Sequence, residues 1–291
     1  VRQPSTINLS QLPPPALIEA LDSESYVAAA IADYKARFPD FTAVLESEPV
    51  IKLIEVFAYR ETLLRNRVNK TALATLLAFA VGADLDQIGA FFECERMVMT
   101  PADGEQPAIM EDDERYRRRI QLAPEAFSVA GPAGAYEYHA LSLDPSIADV
   151  HAYSPAEGRV QVVLAGHDGA PIADAVLFAA LETFQREDIV PLTDVVTVMR
   201  AVRVDYVVEA TLLLRRGPDP LAVRAEALAR LAAYAAGRYR IGETAYRHGI
   251  VASLTAGGVE NVTLTSPPAD VAAGDRQIPF MTANAVEIVV A

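Results

Sequence analysis

The sequence predicts an α+β protein of several modules: an N-terminal helical region followed by two mixed α+β modules. Three observations carry that prediction. Apolar residues follow helical spacing through the first third of the chain. From about Ile147 the pattern switches to short β-rich runs alternating with helical ones. The composition, 52% hydrophobic and 22% charged over 291 residues, is ordinary globular usage and can supply a core to two or three modules. The expected divisions are an extended Pro-rich arm over 1–21, a helical domain over 22–125, a middle α+β module over 126–200 and a C-terminal α+β module over 201–291.

The arm contains Pro4, Pro13, Pro14 and Pro15 without helical period, so it either packs on its own domain or reaches a neighbour. A helix should begin near Ser23 and stop before Pro39. Ser47 as N-cap, Glu48 in the first turn and Pro49 just inside mark the start of the next helix, which should pass Val68. Val50, Ile54, Phe57, Leu64, Val68 and Ala72 share one apolar stripe of it, onto which Glu61 also projects. Glu61 with Arg65 is either an intrahelical pair at the rim of a bundle or a register-setting contact with a partner helix. The run TALATLLAFAVGADL is apolar on nearly every side, which implies burial all round and a break at Gly82. Asp84 with Gln87 has the form of a capping box for a third helix carrying Ile88, Phe91 and Phe92.

Residues 97–110 read as a linker or exposed loop. The acidic run Glu111–Glu114 followed by Arg115, Arg117, Arg118 and Arg119 suits a helix dipole and pairs with itself at i,i+4, which predicts a solvated helix. Beyond it, strands are expected at 147–153, 159–165, 195–198, 202–214, 259–264 and 286–290, and helices at about 172–186, 221–234 and 246–254, the second introduced by Pro218-Asp219-Pro220. Ile147, Val150, Ser154 and Pro155 recur in spacing as Val259, Val262, Ser266 and Pro267, a faint echo of two related modules.

A formal net charge of -14 and a pI of about 4.7 argue against nucleic acid and anionic membrane surfaces, whose phosphates demand Lys and Arg. No apolar run is long enough to span a bilayer, and Val1–Ser5 has no secretory pattern, so synthesis and assembly in the cytoplasm are expected. The single Cys94 excludes an internal disulfide and reads as a small core residue.

No motif announces chemistry. Gly131-Pro132-Ala133-Gly134 lacks the Lys-Ser/Thr of a phosphate loop and reads as a turn opening a helix. Asp84, Asp86, Gly89 and Glu95 fall at calcium-loop spacing, but Ile88 and Phe92 occupy positions that need oxygen ligands. His139, His151, His167 and His248 form no close ligand pair, and Glu137 and His139 point to different sides of a helix. No catalytic, cofactor or metal site is therefore expected, and the chain reads as non-enzymatic. The competing readings are a cell-wall hydrolase with Glu125 or Glu137 as proton donor, and a generic adaptor.

A set of ordered segments points further. Ala58-Tyr59-Arg60-Glu61, Leu64-Arg65, Ala80-Val81-Gly82-Ala83-Asp84-Leu85-Asp86-Gln87 and Glu95-Arg96 resemble the N-terminal signature of baseplate J-like proteins. Arg119 to Glu125, Gly131 to Ala140, Ser154-Pro155, Pro191 to Asp194 and Gly258 to Val262 are similar to later parts of that family, so the likeness spans nearly the whole chain. Glu93 departs from the small residue expected there. The resemblance implies a structural wedge subunit in the baseplate of a contractile phage tail or phage-tail-like particle. It implies that two copies join a smaller wedge protein through a helical bundle, and that wedges close into a ring around a central spike and hub. The helix from Ser47 is the candidate bundle helix, with Val50, Ile54, Phe57, Glu61, Leu64 and Val68 as candidate partner contacts, although burial within its own domain would explain the same stripe. The C-terminal module is the candidate for ring closure; in this setting the two competing readings become a tail-associated cell-wall hydrolase and a generic tail-fibre adaptor.

Overall fold

The architecture, taken from a computed structural model, is described for all residues except 1–5, 8, 10, 11, 42–44, 46, 129, 187, 192, 218 and 291. Pro4 of the arm and Pro218 thus lie outside the described residues. The chain divides into one compact unit over Ile7–Glu95 and a second that runs from Arg96 to the C-terminus.

In the first unit, α1 (Ser23–Arg37) starts where Asp22 accepts a hydrogen bond from the Glu24 amide, and it ends with Lys35 and Arg37 at its negative dipole end. It packs on α2 (Pro49–Ala74), 26 residues long, with Pro49 in its first turn. The N-cap is Glu48, one residue after the expected Ser47, and no side chain caps it. The end of the Pro-rich arm packs on its own domain: the Asn69 amide accepts from the Glu19 backbone N–H at 3.2 Å and donates to its carbonyl at 2.9 Å. The expected all-round burial from Thr71 up to the break at Gly82 is overturned. α2 stops at Ala74 and turns follow, so Ala80 is buried while Val81 is 60% exposed. α3 (Ala83–Ala90) begins after Gly82, whose φ of 54° suits a residue without Cβ. This corrects the capping box, because Asp84 stands inside the helix and not at its cap. Phe91 lies just past its end, 85% exposed.

The second unit opens with the hairpin β1 (Val98–Thr100) and β2 (Ile109–Met110) where a loop was expected. α4 (Asp113–Ala126) and α5 (Ala133–Leu141) pack on each other, α5 opening at Pro132 after the left-handed Gly131. β3 (Ile147–Ala156) pairs antiparallel with β4 (Arg159–Gly166), and β4 pairs parallel with β5 (Val195–Arg200) across α6 (Asp174–Thr183). Leu122, Tyr136, Val150, Val162, Leu164 and Phe184 centre the core of this middle module.

The C-terminal module follows the same plan. β6 (Val202–Leu214) is the middle strand, and α7 (Pro220–Arg238), the short β7 (Thr244–Ala245) and α8 (Arg247–Leu254) come after it. β8 (Val259–Ser266) then pairs antiparallel with β6, and, after the short β9 (Val271–Ala272), β10 (Gln277–Val290) pairs parallel with it. β10 is far longer than the expected 286–290, because Pro279 and polar Thr282 and Asn284 mask its start. Pro is tolerated there since β10 is an edge strand. All the echoed residues but Pro267, which follows β8, fall on equivalent strands, β3 and β8, each preceded by a helix and antiparallel to the central strand. Chain order differs, however: β3 precedes its central strand and β8 follows it.

A third small cluster, Val163, Ala165, Ile241 and Ile278, fills the seam between the two modules of this unit. Tyr239 stitches it, its hydroxyl donating to the Gly166 carbonyl at 2.7 Å and accepting from the Gly169 amide at 2.9 Å. Arg276 adds hydrogen bonds to Tyr153 at 2.8 Å and Gln161 at 2.6 Å.

Candidate functional site

Two surfaces of opposite character compete for attention. The first is the charged run on α4. It is not solvated: Arg115, Arg117 and Arg119 are buried, and so is Glu111 just before the helix. This overturns the expected self-paired surface helix, and the reason lies in the partners. Glu111 takes both Arg115 and Arg119, the latter at 2.6 Å, so one carboxylate holds two guanidinium groups. Arg115 also donates to the Leu141 carbonyl at 2.9 Å and the Ile147 carbonyl at 3.2 Å, and Arg119 to the Ser142 hydroxyl at 3.1 Å. Burial pulls the Arg115 pKa down and Glu111 pushes back. The remaining expected pairs are exchanged. Arg117 meets Glu114 at 2.6 Å, Asp113 meets Arg96 at 2.7 Å, and Arg118 reaches across to Asp149 at 2.7 Å. Asp149 in turn accepts the Ile241 amide at 2.8 Å, which ties α4 to the C-terminal module through β3.

Glu137 belongs to this network. It is 2% exposed, lies 3.9 Å from Arg118 and 3.8 Å from His151, and offers no carboxyl to a polymer outside. Glu125 is exposed on α4 and drapes over Gly134, where a Cβ would stand 2.8 Å from its Cγ. Among the described residues, no group of three or more His, Cys, Asp or Glu is placed to hold a metal ion, and no helix is long and apolar enough to cross a membrane.

The second surface is α2. Its buried ridge is Ile51, Ile54, Ala58 and Asn69, which recur at helical spacing. The expected stripe straddles the edge of that ridge. Ile54 is buried and Val50 half-buried, whereas Phe57, Leu64 and Val68 are 60%, 64% and 63% exposed. Glu61 is exposed and paired with Arg65 at 2.9 Å within the helix. Arg65 also holds Glu19 at 2.7 Å and lies 5.1 Å over the Tyr26 ring.

Sequence reasoning missed the rest of the exposed band: Leu53, Val56 and Leu63, on nearly the opposite side of the helix from the buried ridge. The signal was there, since 53, 56, 57, 60, 64, 67 and 68 also keep helical spacing, but a helix with two apolar faces looks in one dimension like a single broad one. So many large exposed apolar side chains on one helix exceed the scattered apolar residues of an ordinary protein surface. The class this defines is a structural protein with one unit whose long helix exposes an apolar band and another, α+β, locked by buried charge pairs.

Comparison with known proteins gives that class its family. Residues 46–103 match the Baseplate J-like N-terminal domain and residues 128–200 the Baseplate J-like central domain. Baseplate protein J of Escherichia phage P2 is 40% identical over 288 residues, covering 95% of both chains. The chain belongs to the baseplate J-like family, and its role is that of a structural protein of a phage-tail baseplate.

Proposed function

We propose that the chain is a wedge subunit of a contractile-tail baseplate, two copies of which join a smaller wedge protein. The wedges close into a ring around the central spike and hub. Assembly takes place in the cytoplasm, and the finished particle carries the chain in its baseplate. The observation that carries this reading is the exposed apolar band of α2. It is long enough for several turns of helix-to-helix packing and stands apart from the ridge the unit uses for its own core.

The second unit suits the ring. Its two modules are joined by a buried seam, and its last strand, β10, is a 14-residue sheet edge available to a neighbouring subunit. A ring that widens on contraction needs stiff pieces and separate joints, and the stitched seam makes residues 96–291 one stiff piece. Nothing in the arrangement of Glu125 and Glu137 favours hydrolysis.

The test is the mass of the purified chain in solution, alone and after co-expression with the neighbouring small baseplate gene product. Two copies of this chain with one partner is the expected complex. A monomer indifferent to that partner would overturn the wedge reading.

A further inference from the structure

Where the two modules of the second unit meet, one imidazole stands between two carboxylates. His151 of β3 is 7% exposed and, among the described residues, its buried Nδ1 makes no hydrogen bond. Nδ1 lies 3.8 Å from Glu137 of α5, inside the middle module. Nε2 lies 3.7 Å from Asp275, in the turn before β10 of the C-terminal module. Both separations are too long for a hydrogen bond, and a small movement would close them. The ring is held by stacking on Tyr153, with centroids 5.4 Å apart and planes 19° from parallel, and Arg276 donates to the Tyr153 hydroxyl at 2.8 Å. Arg118 of α4 completes the surroundings. It lies 3.9 Å from Glu137 and 2.7 Å from Asp149, which shares a face of β3 with His151.

We propose that His151 is a pH-dependent latch across this seam, gripping the Asp275 turn when its ring is protonated and releasing it when the ring is neutral. A neutral imidazole carries one N–H, so it donates to one carboxylate at most and turns a lone pair toward the other. An imidazolium carries two N–H groups, one for each carboxylate, and both bonds are then charge-assisted. An imidazole changes charge between about pH 5 and 8, a range in which the other stitches stay as they are. The cluster of Val163, Ala165, Ile241 and Ile278 is apolar. Burial pushes the Tyr239 hydroxyl above its ordinary range, and Arg276 stays charged. Acid therefore tightens one stitch and leaves the rest of the seam in place. This goes beyond the wedge reading and does not depend on it.

The experiment is hydrogen exchange on the full chain from about pH 8 to about pH 5.5, corrected for the intrinsic pH dependence of the rates. The probe is the Gln277 amide, which donates to the Gly274 carbonyl at 2.8 Å within the turn. Its protection should rise roughly tenfold on acidification, the worth of one charge-assisted bond. The NMR signals of the His151 ring should change over the same range. Asp275→Asn, at an exposed position, and His151→Phe, which keeps an aromatic ring on Tyr153, should each abolish the rise. Protection that stays level or falls on acidification would overturn the latch. So would a rise retained in Asp275→Asn, or His151 signals that stay constant while protection changes. If His151→Phe fails to fold, Asp275→Asn decides alone.

Discussion

α4 and α2 each sit where their composition would not put them. α4 has one of the most charged stretches in the chain, yet half its 14 residues are buried, three of them arginines. α2 is richer in large apolar side chains, yet 4 of its 26 residues are buried. The difference teaches that burial follows the partner and not the hydropathy. In α4 each guanidinium taken out of water finds a carboxylate, a carbonyl or a hydroxyl, which offsets a desolvation cost of several kcal/mol. In α2 the chain itself supplies a partner to one ridge and leaves the other band exposed.

The hardest blow to that comparison comes from removing the acid that balances α4. Glu111→Ala leaves Arg115 and Arg119 buried without their shared carboxylate, and should cost about 3–5 kcal/mol in urea unfolding. A loss below about 1 kcal/mol would mean that water reaches the cluster and that α4 is an ordinary surface helix.

Alkaline pH probes the same unit. Burial pushes the Tyr206 hydroxyl up to about 12, and burial with a hydrogen bond to Asp194 at 2.8 Å pushes Tyr136 up as well. A raised folded-state pKa holds its stabilisation below the unfolded value near 10 and loses it as pH climbs through the folded one. Stability should therefore fall between about pH 10 and 12, by roughly 2–3 kcal/mol from Tyr206 alone, and Tyr206→Phe should flatten that part of the profile.

Asn69→Ala tests the first unit's own packing. It removes both bonds to the Glu19 backbone and should cost about 2 kcal/mol, with faster amide exchange at residue 19. The smallest effect is expected on the exposed band. Phe57→Ser should change the isolated chain's stability by less than about 0.5 kcal/mol, because its side chain is already in water. The same variant should nevertheless lose the two-to-one complex by mass, and a large stability loss would show that the band is internal core.

Helix existence was legible throughout, because 3.6-residue periodicity and caps are local: the N-caps of α1 and α2, Asp22 and Glu48, fall one residue from the start signals at Ser23 and Ser47. The alternation of strands and helices after Ile147 was legible for the same reason. The family could be read because ordered short segments survive along the chain. What escaped was anything set by a distant partner. The i,i+4 arithmetic of Glu111–Arg119 is correct for an isolated helix, but Arg118 prefers Asp149, 31 positions away in the chain. β10 was cut short because Pro279 and Asn284 break a strand pattern locally, while thirteen register positions along β6 restore it.

The sequence by itself determined an α+β chain with helical and strand-rich regions, no chemistry-bearing motif, and membership of a baseplate family. These depend on local periodicity and on order along the chain. Only the tertiary structure decided which of two apolar bands on α2 is spent on the subunit's own core, and that the arginines of α4 lie inside. Both depend on which side chains from far along the chain arrive to pair with them, and burial free energy is set by that arrival and not by the residue alone.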